Sequence, residues 1–176
     1  MCGIAGAVNY KKRVYDNEIY IKMMKSLKKR GPDQDGIHKA KNAVLVHTRL
    51  SVVDLENGKQ PMSFITEKGD YTIVYNGELY NTNEIRKQLT DRGYTFNGHS
   101  DTEVLLSAFV EWGAKCVEML NGIFAFAVWN EAEDRLFVAR DRIGVKPFFY
   151  GIADDEFVFG SEIKSIMCHP LFKAEI

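Results

Sequence analysis

Phe124-Ala125-Phe126-Ala127-Val128-Trp129 is the stretch that decides the architecture. A strand points successive side chains to opposite faces, and here both alternating sets are apolar. Such a strand needs cover on both faces. Residues 123–130 are the first of four strand-like segments, followed by 135–140, 147–151 and 156–160, with hairpin-like links at 131–134 and 153–155. Antiparallel sheets stacked on each other, with helices outside, meet that demand. The expected fold class is therefore an α+β layered sandwich.

Upstream the periods are mixed. Residues 3–8 are small and apolar and read as a buried strand starting almost at residue 2. Asp16 can cap a helix whose apolar residues are Ile19, Met23, Met24 and Leu27. Arg30-Gly31-Pro32-Asp33 ends that helix in a turn, which an ion pair would fix. Residues 44–49 and 71–75 are further strand candidates. Asn81 or Thr82 caps a helix that stops at Gly93. Ser100-Asp101-Thr102-Glu103 has capping-box spacing, and Val104, Leu105, Ala108, Phe109 and Trp112 share one face of the helix behind it. Gly113 breaks that run, and 114–120 can form another short helix.

Bulk properties narrow the function classes. The 176 residues suffice for one domain with a substantial core. Basic and acidic side chains balance at 23 against 24, and no basic tract exceeds Lys28-Lys29-Arg30, so nucleic acid is not an expected partner. The apolar run 123–129 is too short to span a bilayer, and the start at Met1 lacks the features of a signal peptide. The three cysteines, Cys2, Cys116 and Cys168, argue against a disulfide framework or a zinc site. They fit a reducing compartment. The expectation is a cytoplasmic protein that uses neither membrane nor metal.

Several residues could carry chemistry. If Met1 is trimmed, Cys2 offers a thiol and an α-amine on one residue, with reference pKa values of roughly 8.5 and 7.7–8.0, hence nucleophile and base together. Arg49, at a strand end, can hold a carboxylate bidentately. Asn76 and Gly77, in a loop after the strand 71–75, can point a side-chain amide and an N–H at one oxyanion. Asp101 can grip an ammonium, and Glu78 can share that task. Each also has a plain alternative. Cys2 can be a small core residue, Arg49 a surface ion pair and Asn76-Gly77 a hairpin turn. Asp101 can simply be a helix-stabilising first-turn acid. His47 can be a base or merely pack. Asp141-Arg142-Ile143-Gly144-Val145-Lys146-Pro147 reads as a structural link or an interface.

Taken as an ordered set these motifs point one way. Met1-Cys2-Gly3-Ile4-Ala5-Gly6, Arg30-Gly31-Pro32-Asp33, Asn76-Gly77-Glu78-Leu79-Tyr80-Asn81 and Ser100-Asp101-Thr102-Glu103 occur in sequence. Asn121-Gly122-Ile123-Phe124-Ala125-Phe126 and Gly160-Ser161-Glu162-Ile163-Lys164 complete the set. Across nearly its whole length the chain resembles the glutaminase domain of glutamine-hydrolysing asparagine synthetases, the class II amidotransferases. Pro32 and Tyr75 set it nearer to these than to glucosamine-6-phosphate synthase or amidophosphoribosyltransferase.

The resemblance implies the four-layer αββα sandwich of N-terminal nucleophile hydrolases. It implies Cys2 as nucleophile and Asn76 and Gly77 as oxyanion hole. Arg49 would grip the glutamine carboxylate, Leu50, Ser51, Val52 and Val53 would line the pocket, and Glu78 and Asp101 would hold the α-ammonium. No cofactor is expected in this domain. ATP and Mg would serve a C-terminal synthetase domain absent from this chain, whose phosphate-binding Ser-Gly-Gly-x-Asp-Ser loop does not occur here. That synthetase domain and glutamine are the expected partners, and a homodimer is an assembly left open. Alternatives are the glutaminase of another class II amidotransferase, an amidase for other amides or peptides, and a non-catalytic domain that kept the fold.

Overall fold

The computed structural model describes residues 1–11, 17–51, 54 and 57–172. The expected cap Asp16 lies outside them. One sheet holds β1 (Gly3–Asn9), β2 (Gln34–Lys39), β3 (Ala43–Arg49), β8 (Phe149–Ala153) and β9 (Glu156–Gly160), in the order β2-β3-β1-β9-β8. The other holds β4 (Met62–Thr66), β5 (Gly69–Leu79), β6 (Gly122–Asn130) and β7 (Arg135–Arg140), in sequence order. Every neighbouring pair is antiparallel.

The two-faced strand explains the layering. Ala125, Ala127 and Trp129 of β6 point between the sheets, where they meet Ile4, Val8, Leu45 and Phe159. Phe124, Phe126 and Val128 point the other way, against α2 (Thr82–Thr90) and α3 (Asp101–Trp112). A third core lies beyond the five-stranded sheet. There Ala5, Ala7, Val44 and Val46 pack on Tyr20 and Met23 of α1 (Asn17–Ser26) and Ile166 of α5 (Ile163–Ile166). The result is helix, sheet, sheet, helix. Trp129 and Phe126 are fully buried on opposite faces of one strand; truncating either to Ala is worth about 3–5 kcal/mol.

Local differences from the sequence expectations have clear causes. β5 does not stop at Tyr75: β6 pairs with it from Tyr71 through Leu79, so Asn76 and Gly77 sit inside a strand. The segment after Gly113 forms a 3-10 turn (Gly113–Lys115) and then a single helical turn, α4 (Cys116–Met119). Ser100 caps α3 by accepting from the Glu103 N–H at 3.3 Å. The Glu103 carboxylate accepts from the N–H groups of Asn97 and Gly98 rather than closing the box on Ser100. The α3 N-terminus is thereby tied to the loop before it.

Candidate active site

Strand alternation gathers the site. Ile4 and Val8 face the space between the sheets, and the same alternation carried back along β1 turns Cys2 inward. Ala43 and Leu45 set the inward register of β3, so His47 and Arg49 follow them. On β5, Val74 faces inward, and so does Asn76, two residues on. These side chains meet at one end of the inter-sheet layer. A cavity of about 280 Å³ opens there, lined by Cys2, Arg49, Leu50, Asn76, Gly77, Glu78 and Asp101, with Met1, Gln60, Tyr75 and Lys146 at its walls.

Two donors face this cavity. Asn76 is 2% exposed, and its Nδ2 is buried without a hydrogen-bond partner. Gly77 pairs with Phe124, and both backbone groups of Phe124 are engaged by Asp141. The Phe124 N–H donates to Asp141 Oδ2 at 3.2 Å, and its carbonyl accepts from the Asp141 N–H at 2.8 Å. Gly77 and Phe124 are thus a non-hydrogen-bonded pair, and the Gly77 N–H points away from β6. On that open side the flanking amides are taken: Tyr75 N–H by Gln60 Oε1 at 2.6 Å, Leu79 N–H by Asp101 Oδ2 at 3.3 Å. The middle amide is left facing the cavity.

Opposite charges stand on either side. Arg49 is 4% exposed. Its Nη1 donates to Gln34 Oε1 at 2.9 Å and its Nη2 to the Asp54 carbonyl at 2.6 Å. Gly58 lies so close to Nη2 that a side chain there would collide with it. Asp101, the first residue of α3, accepts from the Tyr75 hydroxyl at 2.8 Å as well as from Leu79. Burial pushes the Asp101 carboxyl up, and the Tyr75 and Leu79 donors oppose that. Glu78 is exposed at the rim.

The Cys2 sulfur lies 3.8 Å from the Leu50 carbonyl, to which its thiol donates. The Cys2 carbonyl accepts from Arg30 Nε at 2.9 Å, and Arg30 pairs with Glu162 at 3.7 Å. The turn Arg30-Gly31-Pro32-Asp33, which reads as structural, therefore also holds the cysteine. Gly31 packs on the Thr48–Arg49 backbone with no room for a side chain. Ser51 stands outside the cavity lining, its N–H donating to Asp33 Oδ2 at 2.7 Å. Val52 and Val53 lie outside the described residues. His47 is fully buried, its Nε2 3.1 Å from the Tyr75 carbonyl. Burial pushes its pKa down to about 4, with the Arg49 charge adding to the effect. A neutral imidazole bridging the two sheets is a packing element, not a poised base.

A family model for the glutamine amidotransferase domain matches residues 1–176. The chain belongs to the glutamine amidotransferase domain family.

This amidotransferase domain is 53% identical over its full length to asparagine synthetase [glutamine-hydrolyzing] 3 of Bacillus subtilis strain 168, of which it spans 29%. It is 32% identical over 95% of its length to asparagine synthetase B [glutamine-hydrolyzing] of Escherichia coli K12, of which it spans 30%. The chain thus covers under a third of either relative. The solved glutamine phosphoribosylpyrophosphate amidotransferase of B. subtilis superposes with a TM-score of 0.78 at 23% identity, over 94% of this chain and 43% of that one. The fold is accordingly the αββα sandwich that this solved amidotransferase also adopts.

Five further residues shape the amidotransferase site without having been given a site role from the sequence: Arg30, Asp54, Gln60, Tyr75 and Lys146. Asp54 adopts a left-handed conformation (φ 49°). Its carboxylate accepts from the N–H groups of Asn57 at 3.0 Å and His99 at 2.7 Å, joining the Arg49 side of the cavity to the loop before α3. Tyr75 left a sequence signal in its alternation: next to inward-facing Asn76, it must face α3. Among the described residues no group of three or more His, Cys, Asp or Glu side chains is placed to hold a metal. No described helix is long and apolar enough to cross a membrane.

Proposed function

We propose that this amidotransferase domain hydrolyses the side-chain amide of glutamine through a thioester on Cys2, with each cavity residue in a defined role. Arg49 pairs with the α-carboxylate of glutamine and Asp101, beside Glu78, with its α-ammonium. The clamp selects a free amino acid and fixes its direction before the chemical step. The Cys2 sulfur attacks the amide carbon. Negative charge moves to the amide oxygen, where Asn76 Nδ2 and the Gly77 N–H receive it. One such donor is worth about 2.7–4 kcal/mol in the transition state. The α-amine of Cys2, free once Met1 is removed, passes the thiol proton to the leaving nitrogen. The C–N bond breaks, ammonia departs and a thioester remains. Water then cleaves the thioester, giving glutamate and the free thiol.

The observation that carries this reading is the unpartnered Asn76 Nδ2, buried beside the open Gly77 amide. A buried amide donor without a partner costs about 1–3 kcal/mol, which an oxyanion would recover. The test is glutamate release by the Met1-free chain. Turnover that disappears in Cys2→Ala is expected; equal turnover in Cys2→Ala would overturn it.

The ammonia is proposed to pass to a C-terminal synthetase domain outside this chain, for the ATP- and Mg-dependent conversion of aspartate to asparagine in the cytoplasm. The relatives named as asparagine synthetases support this, each more than three times the length of the matched segment. Glutamine-dependent asparagine formation by the full-length protein is the check. An ammonia acceptor other than activated aspartate would refute it.

A further inference from the structure

We propose that Tyr75 is a positioning residue that sets amino-acid specificity: its phenol presents the Asp101 carboxylate to the α-ammonium of glutamine while its ring packs over the Cα of Gly77. This rests on the proposed glutaminase function and extends it to a residue outside the clamp.

Four contacts fix Tyr75. Its hydroxyl donates to Asp101 Oδ2 at 2.8 Å. Its backbone is held by two side chains: the N–H by Gln60 Oε1, from the segment ahead of β4, at 2.6 Å, and the carbonyl by His47 Nε2, on β3 of the other sheet, at 3.1 Å. Gln60 also donates from Nε2 to Thr102 Oγ1 at 3.1 Å, so one side chain ties Tyr75 to the residue beside Asp101. The ring lies over Gly77: a Cβ there would stand 2.5 Å from Tyr75 Cε2 and 2.8 Å from Cζ. One rigid aromatic thus touches both the residue that receives the ammonium and the residue that receives the oxyanion. The span between them is set by the length of a tyrosine.

The phenol suits the task. Burial and the Asp101 charge push its pKa well above the usual tyrosine value, so it remains a donor throughout the working range. Its bond opposes the effect of burial on Asp101. The charged and titratable groups that share the cavity with Asp101 are Glu78 and Tyr75 on β5, Cys2 ahead of β1, Arg49 on β3 and Lys146 ahead of β8; Glu103 lies on the same helix, and Arg86 of α2 reaches the Ser100 carbonyl at 3.5 Å. Of these, Tyr75 is the one that hydrogen-bonds its side chain. Without the phenol, Asp101 keeps Leu79 at the longer 3.3 Å and takes up its proton at higher pH.

The test is Tyr75→Phe, which keeps the ring over Gly77 and removes only the donor. In a Cys2→Ala background, calorimetry compares glutamine with glutaramate, which is glutamine without its α-ammonium. Glutamine is expected to bind about tenfold more weakly in Tyr75→Phe, and glutaramate no differently. With Cys2 intact, KM for glutamine rises, kcat holds, and the acid limb of kcat/KM moves to higher pH. Unchanged glutamine affinity, or an equal loss for both ligands, overturns the role of Tyr75 and leaves the glutaminase reading standing. Absence of glutamate release by the unsubstituted Met1-free chain overturns both.

Discussion

The Gln60 side chain takes the place of a strand beside Tyr75: β4 ends its pairing at Met62 opposite Ile73, and two residues further along β5 the Tyr75 N–H donates to Gln60 Oε1 at 2.6 Å. The ladder is thus carried one step past the last strand residue and then released. The next outward amide, that of Gly77, opens on the cavity. Gln60→Ala should unpair the Tyr75 N–H and remove the Thr102 contact. Urea unfolding should show a loss of about 1–3 kcal/mol, with weaker glutamine binding alongside. Unchanged stability would mean that the edge of β5 is held by other groups.

Asn76→Ala separates catalysis from stability. The Asn76 Nδ2 has no partner in the free protein, so its removal gives up no hydrogen bond there. Thermal stability should hold or rise slightly. Loss of one oxyanion donor should lower kcat by about 10²–10³-fold with little change in KM. A kcat near that of the unsubstituted chain would remove Asn76 from the mechanism.

Arg49→Lys keeps the charge and discards the fork. The guanidinium is anchored at both Nη1 and Nη2 by Gln34 and Asp54, and an ammonium cannot make both bonds while also facing a carboxylate bidentately. KM for glutamine should rise by about tenfold or more, and decarboxylated substrate analogues should be indifferent to the change. An unaltered KM would place the carboxylate elsewhere.

His47 gives the fold an acid limit. Its pKa falls from 6.5 unfolded to about 4 folded, because burial disfavours the imidazolium. Between those values the unfolded chain binds the extra proton, so stability rises with pH and is lost as pH falls through that window. The depression is worth about 3 kcal/mol in all. Urea unfolding at pH 7 and pH 5 should therefore show a drop in the parent that is smaller in His47→Gln. An identical drop in both would assign the acid sensitivity to other groups.

Much of the fold was legible because it rests on local periodicity. The two apolar faces of β6 required two layers of cover, and β7 and β9 run over the residues 135–140 and 156–160 that read as strands. β2 and β4 escaped notice for a physical reason. Both are edge strands: β2 carries Gly36 among mixed polar residues, and β4 alternates in burial but turns the apolar Ile65 outward, which hides the pattern in the sequence. Asn76 and Gly77, expected in a loop at the strand end, lie inside β5 because pairing with β6 overrides the local preference of Asn-Gly. Cys2, Arg49, Asn76, Gly77, Glu78 and Asp101, each singled out from the sequence, line a common cavity. Its supports were not legible. Arg30 on Cys2, Gln60 on Tyr75 and Tyr75 on Asp101 join residues 28, 15 and 26 positions apart, and no local pattern encodes such contacts.

The central claim is that Cys2, once it is the amino terminus, is the nucleophile. The direct measurement is mass spectrometry of the chain with and without Met1 after treatment with a glutamine analogue bearing an electrophilic side chain, alongside glutamate release. Cys116 is buried, with its thiol pushed up to about 12, and is a poor competitor for the label. The Met1-free protein should carry one adduct, on Cys2, blocked by excess glutamine, and should release glutamate. The Met1-bearing protein should do neither, since its Cys2 nitrogen is a peptide amide. Glutamate release by Met1-bearing or Cys2→Ala protein at the rate of the Met1-free chain would contradict the account.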